Sequence, residues 1–109
     1  TFAFVYISEA HSCDEWPVGH CVDIKQPKTT AERQEVAERQ LKVLGVGDEF
    51  IRLVDSAEEN TFHQTYACWP FRWYTIGENG KKITSIPQPH RSGYDVRELV
   101  AWIVDQVMR

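Results

Sequence analysis

The sequence has little of what marks several specialised classes of protein. Its three cysteines are an odd number and too few for a disulfide framework, so a reducing compartment, the cytoplasm or an organelle interior, is preferred. Lys and Arg number 12 against 16 Asp and Glu, and this acidic balance disfavours a nucleic-acid binder. No apolar run approaches the ~20 residues of a transmembrane segment, and no signal peptide opens the chain.

The composition is otherwise that of a globular protein. Hydrophobic residues make up 42% of the 109 residues and charged residues 26%, which suits a single domain over residues 1–109. A natural translation start would be Met, whereas the sequence begins at Thr1. We therefore expect a segment upstream of the residues given.

The first part of the sequence predicts a strand, a long connection and a helix. Residues 2–7 are apolar, β-branched and aromatic, which is typical of a strand buried on both faces. Residues 8–28 are polar, and a connection of that length is usually functional. Thr29 and Glu32 form a capping-box pattern that predicts a helix start. The helix has its apolar residues on one face and ends at glycine: Ala37, Leu41, Leu44 and Gly45.

The rest of the sequence alternates between strand and helix patterns. A second capping box opens at Ser56, and a hairpin turn is indicated by Gly77 and Gly80. The remaining predicted elements are a strand at 50–54, a short helix to about Ala67, strands at 72–76 and 81–86, and a helix at 95–108 with Val96, Leu99, Val100, Ile103 and Val107 on one face.

The predicted element order is β-α-β-α-β-β-α. Strand–helix–strand units require parallel pairing with right-handed crossovers, and the closing hairpin adds an antiparallel pair. A mixed sheet with helices on both faces in this order is the thioredoxin-like arrangement, an α/β fold.

A distinctive run follows the first predicted strand, at residues 5–16, with Glu9, Ala10 and His11 ahead of Asp14 and Trp16. It resembles the signature Y-I-x-E-A-H-x-x-D-x-W of the iodothyronine deiodinase family. Further stretches are similar to that family in order and spacing, namely residues 26–33, 53–55 and 66–74.

The resemblance implies a peroxiredoxin-like redox protein of thioredoxin fold. In the family's best-known members a selenocysteine, or a cysteine in many microbial relatives, removes iodine reductively from thyroid hormone. A thiol reductant restores the nucleophile, and no bound cofactor is implied. The nucleophile belongs to an earlier strand, so the resemblance implies that a strand–helix unit precedes Thr1.

Four residues of the resemblance are candidates for the site. His11 matches the histidine associated with proton transfer or substrate contact, and imidazole suits that task because its pKa lies near neutrality. The alternative is that His11 only caps the loop after the first strand. Glu9, Trp16 and Arg72 are implied to bind substrate, although Glu9 and Trp16 would serve equally to shape the loop.

The cysteines are weaker candidates. Cys13 follows a strand and lies two residues from His11, so a lowered thiol pKa would make it a nucleophile. The absence of C-x-x-C favours an unreactive loop cysteine instead, and Cys68 is expected to be a small buried residue. His11, Cys13, His20 and Cys21 are the right residue types for a zinc site, but the adjacent pair His20 and Cys21 rarely reaches one tetrahedral ion, so no metal is expected.

Three positions depart from the family's pattern. Pro27 stands where the animal enzymes have a second histidine, and Phe71 replaces the acidic residue that usually precedes Arg72. Pro89 falls where a basic residue of the loop before the last helix is expected. These departures argue against recognition of thyroid hormone.

Two functions remain open on the sequence alone. The first is the C-terminal part of a deiodinase-like thiol or selenol oxidoreductase, whose nucleophile lies upstream of Thr1 or has been lost. The second is a non-catalytic accessory or scaffold subunit of a larger assembly that reuses the fold. In either case we expect an upstream segment or a partner chain to place a strand between residues 2–7 and residues 72–76.

Overall fold

The computed structural model describes residues 1–19, 23–69, 72–81, 83–85 and 96–108. They divide into two compact units, Thr1–Phe71 and Arg72–Arg109. The elements are β1 (Ala3–Tyr6), α1 (Thr30–Val43), β2 (Ile51–Val54), α2 (Thr61–Tyr66), β3 (Thr75–Ile76), β4 (Ile83–Ser85) and α3 (Val96–Met108). The expected α/β class and element order are confirmed. None of the described helices has the length and apolar character needed to cross a bilayer.

The first unit is built on a parallel pair of strands. β1 and β2 pair in the register that sets Ala3 beside Ile51 and Tyr6 beside Val54. Parallel strands cannot be joined by a tight turn, so the chain must cross over between them, and α1 lies in that crossover. This confirms the parallel strand–helix–strand unit predicted from the sequence.

Helix α1 begins as its capping box predicts. The Thr29 hydroxyl accepts the Glu32 N–H at 3.2 Å, and the Glu32 carboxylate accepts the Thr29 N–H at 3.3 Å. The buried face consists of Arg33, Ala37 and Leu41, whereas Leu44 is 74% exposed. Leu44 is the C-cap and follows the last helical residue, so it does not continue that face.

The prediction that the first strand is buried on both faces is wrong. Phe2 and Phe4 are 44% and 38% exposed, and Ile51 and Leu53 of β2 are 48% and 50% exposed. Among the described residues this sheet has only two strands, which is too narrow to support covering layers on both faces. The Phe2 and Phe4 rings instead meet the edge of the Phe50 ring, with centroids 6.2 and 5.5 Å apart.

The second helix begins later than its sequence pattern predicts. Ser56 does accept the Glu59 N–H at 3.2 Å, but residues 57–59 form a turn. Asn60 then adopts a left-handed conformation with φ of 50°, and this interrupts any continuous helix before Thr61. The first N–H groups of α2 are satisfied by Asp55, whose carboxylate accepts those of Phe62 and His63 at 2.9 and 3.0 Å.

The second unit contains the predicted hairpin and the last helix. β3 and β4 pair antiparallel across a turn in which Asn79 and Gly80 have positive φ, as a tight reversal requires. β3 is shorter than the predicted strand at 72–76. In α3 the half-buried side chains are Leu99, Trp102 and Ile103, whereas Val100 and Val107 are 52% and 77% exposed. Phe71 and Pro89 lie outside the described residues.

The start of α1 is tied to the turn after β2 by Glu58. Its carboxylate accepts the Thr30 N–H at 3.0 Å, a hydrogen bond from the Thr30 hydroxyl and one from Ser56 at 3.3 Å. The Thr30 hydroxyl and N–H together lower the pKa of Glu58 from its usual 4.5 to about 2.

A lowered carboxyl pKa makes the folded state depend on pH in one direction. The stabilisation by ionised Glu58 is fully present above about pH 4.5 and is lost as the pH falls towards about 2. We expect Glu58→Gln to lower the urea midpoint at pH 6 and to match the wild type near pH 2. Glu35→Gln, at an exposed position of α1, is the control. A difference that stays constant from pH 6 to pH 2 would contradict this role for Glu58.

Candidate functional site

The loop after β1 is held by the side chain of Gln26. The Glu9 N–H donates to Gln26 Oε1 at 2.9 Å, and Gln26 Nε2 donates to the Glu9 carbonyl at 2.9 Å. A carboxamide carries one acceptor and one donor side by side, so it satisfies both backbone groups of Glu9 as a neighbouring strand would. The path of the chain towards His11 therefore depends on a residue 17 positions later.

The acidic residues of the same loop reinforce this contact. The Gln26 N–H donates to Asp14 at 2.8 Å and thereby lowers the pKa of that carboxyl. Glu15 accepts from Gln26 Nε2 at 3.2 Å and from Lys28 Nζ at 2.8 Å, and the lysine is the main reason that the pKa of Glu15 is lowered. The exposed ion pair between Lys28 and Glu15 contributes little by itself, but Gln26 makes four hydrogen bonds to three residues of the loop.

Two aromatic side chains of the loop and one from the segment after α2 lie in a row. The His11 ring lies 4.9 Å from the Trp16 ring, and the Trp16 ring is nearly parallel to that of Trp69, 6.2 Å away. His11 Nδ1 is 3.3 Å from the Trp16 carbonyl oxygen. A carbonyl only accepts, so this contact requires the proton on Nδ1 and leaves Nε2 with the lone pair of the neutral ring.

An open groove lies beside this row, with a volume of about 420 Å³. Glu9, Trp16 and Trp69 line it together with the charged side chains of Lys28 and Arg33. The groove therefore combines two indole rings with acidic and basic groups. Seven of its twelve lining residues are polar or charged, so the groove is more polar than most small-molecule sites.

The candidates from the sequence take different places around the groove. Glu9 and Trp16 line the groove. His11 does not line it but contacts the Trp16 ring. Cys13 is a half-buried free thiol whose N–H donates to the Ile24 carbonyl at 2.9 Å, and it does not line the groove. Arg72 belongs to the other unit, where it is half-buried. The chemical roles of these residues stay predictions.

The carboxyl of Glu9 is partly removed from solvent. Its side chain is half-buried in the groove wall, and burial raises the pKa of its carboxyl above 4.5. Desolvation disfavours the charged form, so a larger fraction of Glu9 carries a proton near neutral pH than an exposed glutamate would. A carboxyl of this kind can donate a hydrogen bond or a proton to a ligand in the groove.

No group of three His, Cys, Asp or Glu residues suited to a metal ion occurs in the described ranges. His20 and Cys21, the other two members of the zinc set considered above, lie outside those ranges. Cys68 is 4% exposed, which confirms that it is a small buried residue.

Gln26 and Trp69 lie in the stretches at 26–33 and 66–74 that resemble the family, but the sequence analysis assigns a role to neither. It also missed Lys28 and Arg33 as lining residues. The capping box at Thr29 fixes where α1 begins, but the burial of Arg33 depends on how α1 packs against β2, for which the sequence has no local signal. The contact between Gln26 and Glu9 has no local signal, since it depends on how two distant segments meet.

A comparison with models of protein families identifies a match to iodothyronine deiodinase over residues 1–106. The matched range includes every residue that lines the groove and all the predicted site residues.

The contribution of the Gln26 hydrogen bonds to stability can be tested with an isosteric change. Gln26→Glu removes the donors to Glu9 and Glu15 and sets a carboxylate against their oxygens, so we expect a loss of about 1–3 kcal/mol in the free energy of unfolding. Gln34→Glu makes the same charge change on the exposed side of α1, where about 0.5 kcal/mol or less is expected. Urea unfolding at pH 7 compares the two variants. Equal losses in the free energy of unfolding would show that the hydrogen bonds of Gln26 do not stabilise the loop.

Proposed function

The chain belongs to the iodothyronine deiodinase family, and on that premise we propose that it forms the substrate-binding part of a deiodinase-like thiol or selenol oxidoreductase. The observation that carries the proposal is the convergence of the Glu9–Trp16 loop with Trp69 on one groove. The redox nucleophile of this proposal lies upstream of Thr1, in a strand–helix unit that completes a thioredoxin-like domain.

The residues of the loop have separate tasks in this reaction. Replacing a halogen on carbon by hydrogen takes two electrons and one proton. The nucleophile and its thiol reductant supply the electrons, and His11 exchanges the proton through Nε2, because Nδ1 faces the Trp16 carbonyl. Trp16 and Glu9 contact the substrate in the groove. Arg72 is a further substrate contact by resemblance.

The exposed strand residues support a missing strand. Phe2, Phe4, Ile51 and Leu53 are each between 38% and 50% exposed on a sheet of two described strands. In the proposed thioredoxin-like domain, a strand from the upstream unit lies along the other edge of β1 and brings its own covering helix. Apolar strands with an open edge are otherwise sites of aggregation.

A non-catalytic accessory subunit is the second candidate, and the replacement of the family's acidic residue by Phe71 favours it. Pro27 is buried and lines the groove where the animal enzymes carry a histidine, but microbial relatives share this proline, so it bears on hormone recognition rather than on redox chemistry. The identity of the upstream residue at the nucleophile position separates the two candidates. Selenocysteine or cysteine there supports the oxidoreductase, and serine or alanine supports the accessory subunit.

We expect the 109-residue chain alone to release no iodide from thyroid hormones with a dithiol donor. Its described cysteines are Cys13, which does not line the groove, and the buried Cys68, and Pro27 removes a family histidine. Iodide above the buffer level would overturn the proposal of an upstream nucleophile. If that release disappeared in Cys13→Ser, Cys13 would be the nucleophile.

In the full-length protein, His11→Ala is expected to reduce reductive activity at least ~100-fold, in the range typical of a lost proton-transfer group. Its structural cost is expected to be about 1 kcal/mol, because the half-buried ring loses only its contacts with Trp16. Val18→Ala, at a 56% exposed position of the same loop, should retain activity. Unchanged activity with a large fall in melting temperature would make His11 a structural residue.

A further inference from the structure

Arg33 is the largest fully buried side chain among the described residues, with 2% of its surface exposed. It projects from the second turn of α1 towards the end of β2. Its Nη1 atom donates to the carbonyls of Asp55 and Ser56, both at 3.1 Å. These two contacts use one end of the planar guanidinium group and leave its other donors to be satisfied elsewhere.

The remaining donors of Arg33 have no contact partner in the described ranges. Nε is buried without a hydrogen bond, and the ion pairs found there are Lys28–Glu15 and Arg52–Asp48. Asp55 and Glu58 favour the cation through space, but their carboxylates are bound to the N–H groups of α2 and to Thr30. A buried charge without a contact partner is strongly destabilising, so a partner is expected.

Arg33 lines the groove, and the other charges there leave room for an anion. Lys28 and Glu15 are paired at 2.8 Å and neutralise each other. Burial raises the pKa of Glu9, which weakens the repulsion that its carboxylate would exert on an anion. Arg33 is thus the cation in the described lining that remains without a contact partner of opposite sign.

We propose that Arg33 is an anion-binding residue and that the groove takes a ligand bearing a carboxylate. The Nε–H and the adjacent N–H of the second Nη lie along one edge of the guanidinium, and their spacing matches the two oxygens of a carboxylate. The carbonyls of Asp55 and Ser56 fix the plane of the group in advance, so that binding orders little of the side chain. The proposal concerns binding alone and stands whether or not the protein is a reductase.

The test uses the full chain labelled with ¹⁵N and sodium acetate as the probe, with sodium chloride at equal ionic strength as the reference. The Nε–H resonance of Arg33 reports directly on a partner at that atom. We expect it to shift saturably with acetate and not with chloride. The resonance of Arg39, an exposed arginine of α1, is expected to move little in either salt.

A variant separates the guanidinium edge from charge alone. Arg33→Lys keeps the positive charge but loses the two-donor edge, and we expect acetate affinity to fall about tenfold or more, whereas Arg39→Lys should leave it unchanged. If Arg33→Lys does not fold, the wild-type titration decides. The proposal is overturned if the Arg33 resonance does not saturate with acetate, if chloride shifts it equally, or if folded Arg33→Lys binds acetate as the wild type does.

Discussion

The arrangement of the groove depends on one reciprocal pair of hydrogen bonds, between the carboxamide of Gln26 and the backbone of Glu9. A strand edge that has no neighbour leaves its N–H and carbonyl groups without partners, and a loop leaving that strand has the same requirement. Gln26 meets it with one side chain and also contacts Glu15. Glu9, His11 and Trp16 share the loop that this pair holds, and the hydrogen bonds of Asp14 to Gln26 and of Cys13 to Ile24 hold the same loop further along.

The other wall of the groove is set by the end of β2. The Asp55 carboxylate accepts hydrogen bonds from the N–H groups of Phe62 and His63 at the start of α2. Its backbone carbonyl accepts a hydrogen bond from Arg33 of α1. One residue therefore joins a strand to two helices. Its 5% exposure is tolerable because its carboxylate has the two backbone donors that a buried charge requires.

Local patterns predicted the elements whose cause is local. The capping box at Thr29 predicted the start of α1, because its hydrogen bonds join residues three positions apart. The apolar run at residues 2–7 predicted β1 from its residue types, although its pairing with β2 is long-range. The predicted start of α2 is wrong, since Asn60 adopts a left-handed conformation and the first N–H groups of α2 are accepted by Asp55. Glu9 and Trp16 were found through a motif, whereas Arg33 required knowledge of how α1 lies against β2.

The parallel pairing of Ala3 with Ile51 has a consequence for how freely the site loop can vary. That pairing closes a loop of chain containing residues 8–28 and the whole of α1, and the entropy of closing such a loop grows only with the logarithm of its length. Doubling the loop would cost about 0.6 kcal/mol. Insertions near Val18, which is exposed and lies outside the groove lining and the contacts of Gln26, therefore cost the sheet little. The length and sequence of that segment can therefore vary at little cost in chain entropy, while the hydrogen bonds of Gln26 keep Glu9 in place.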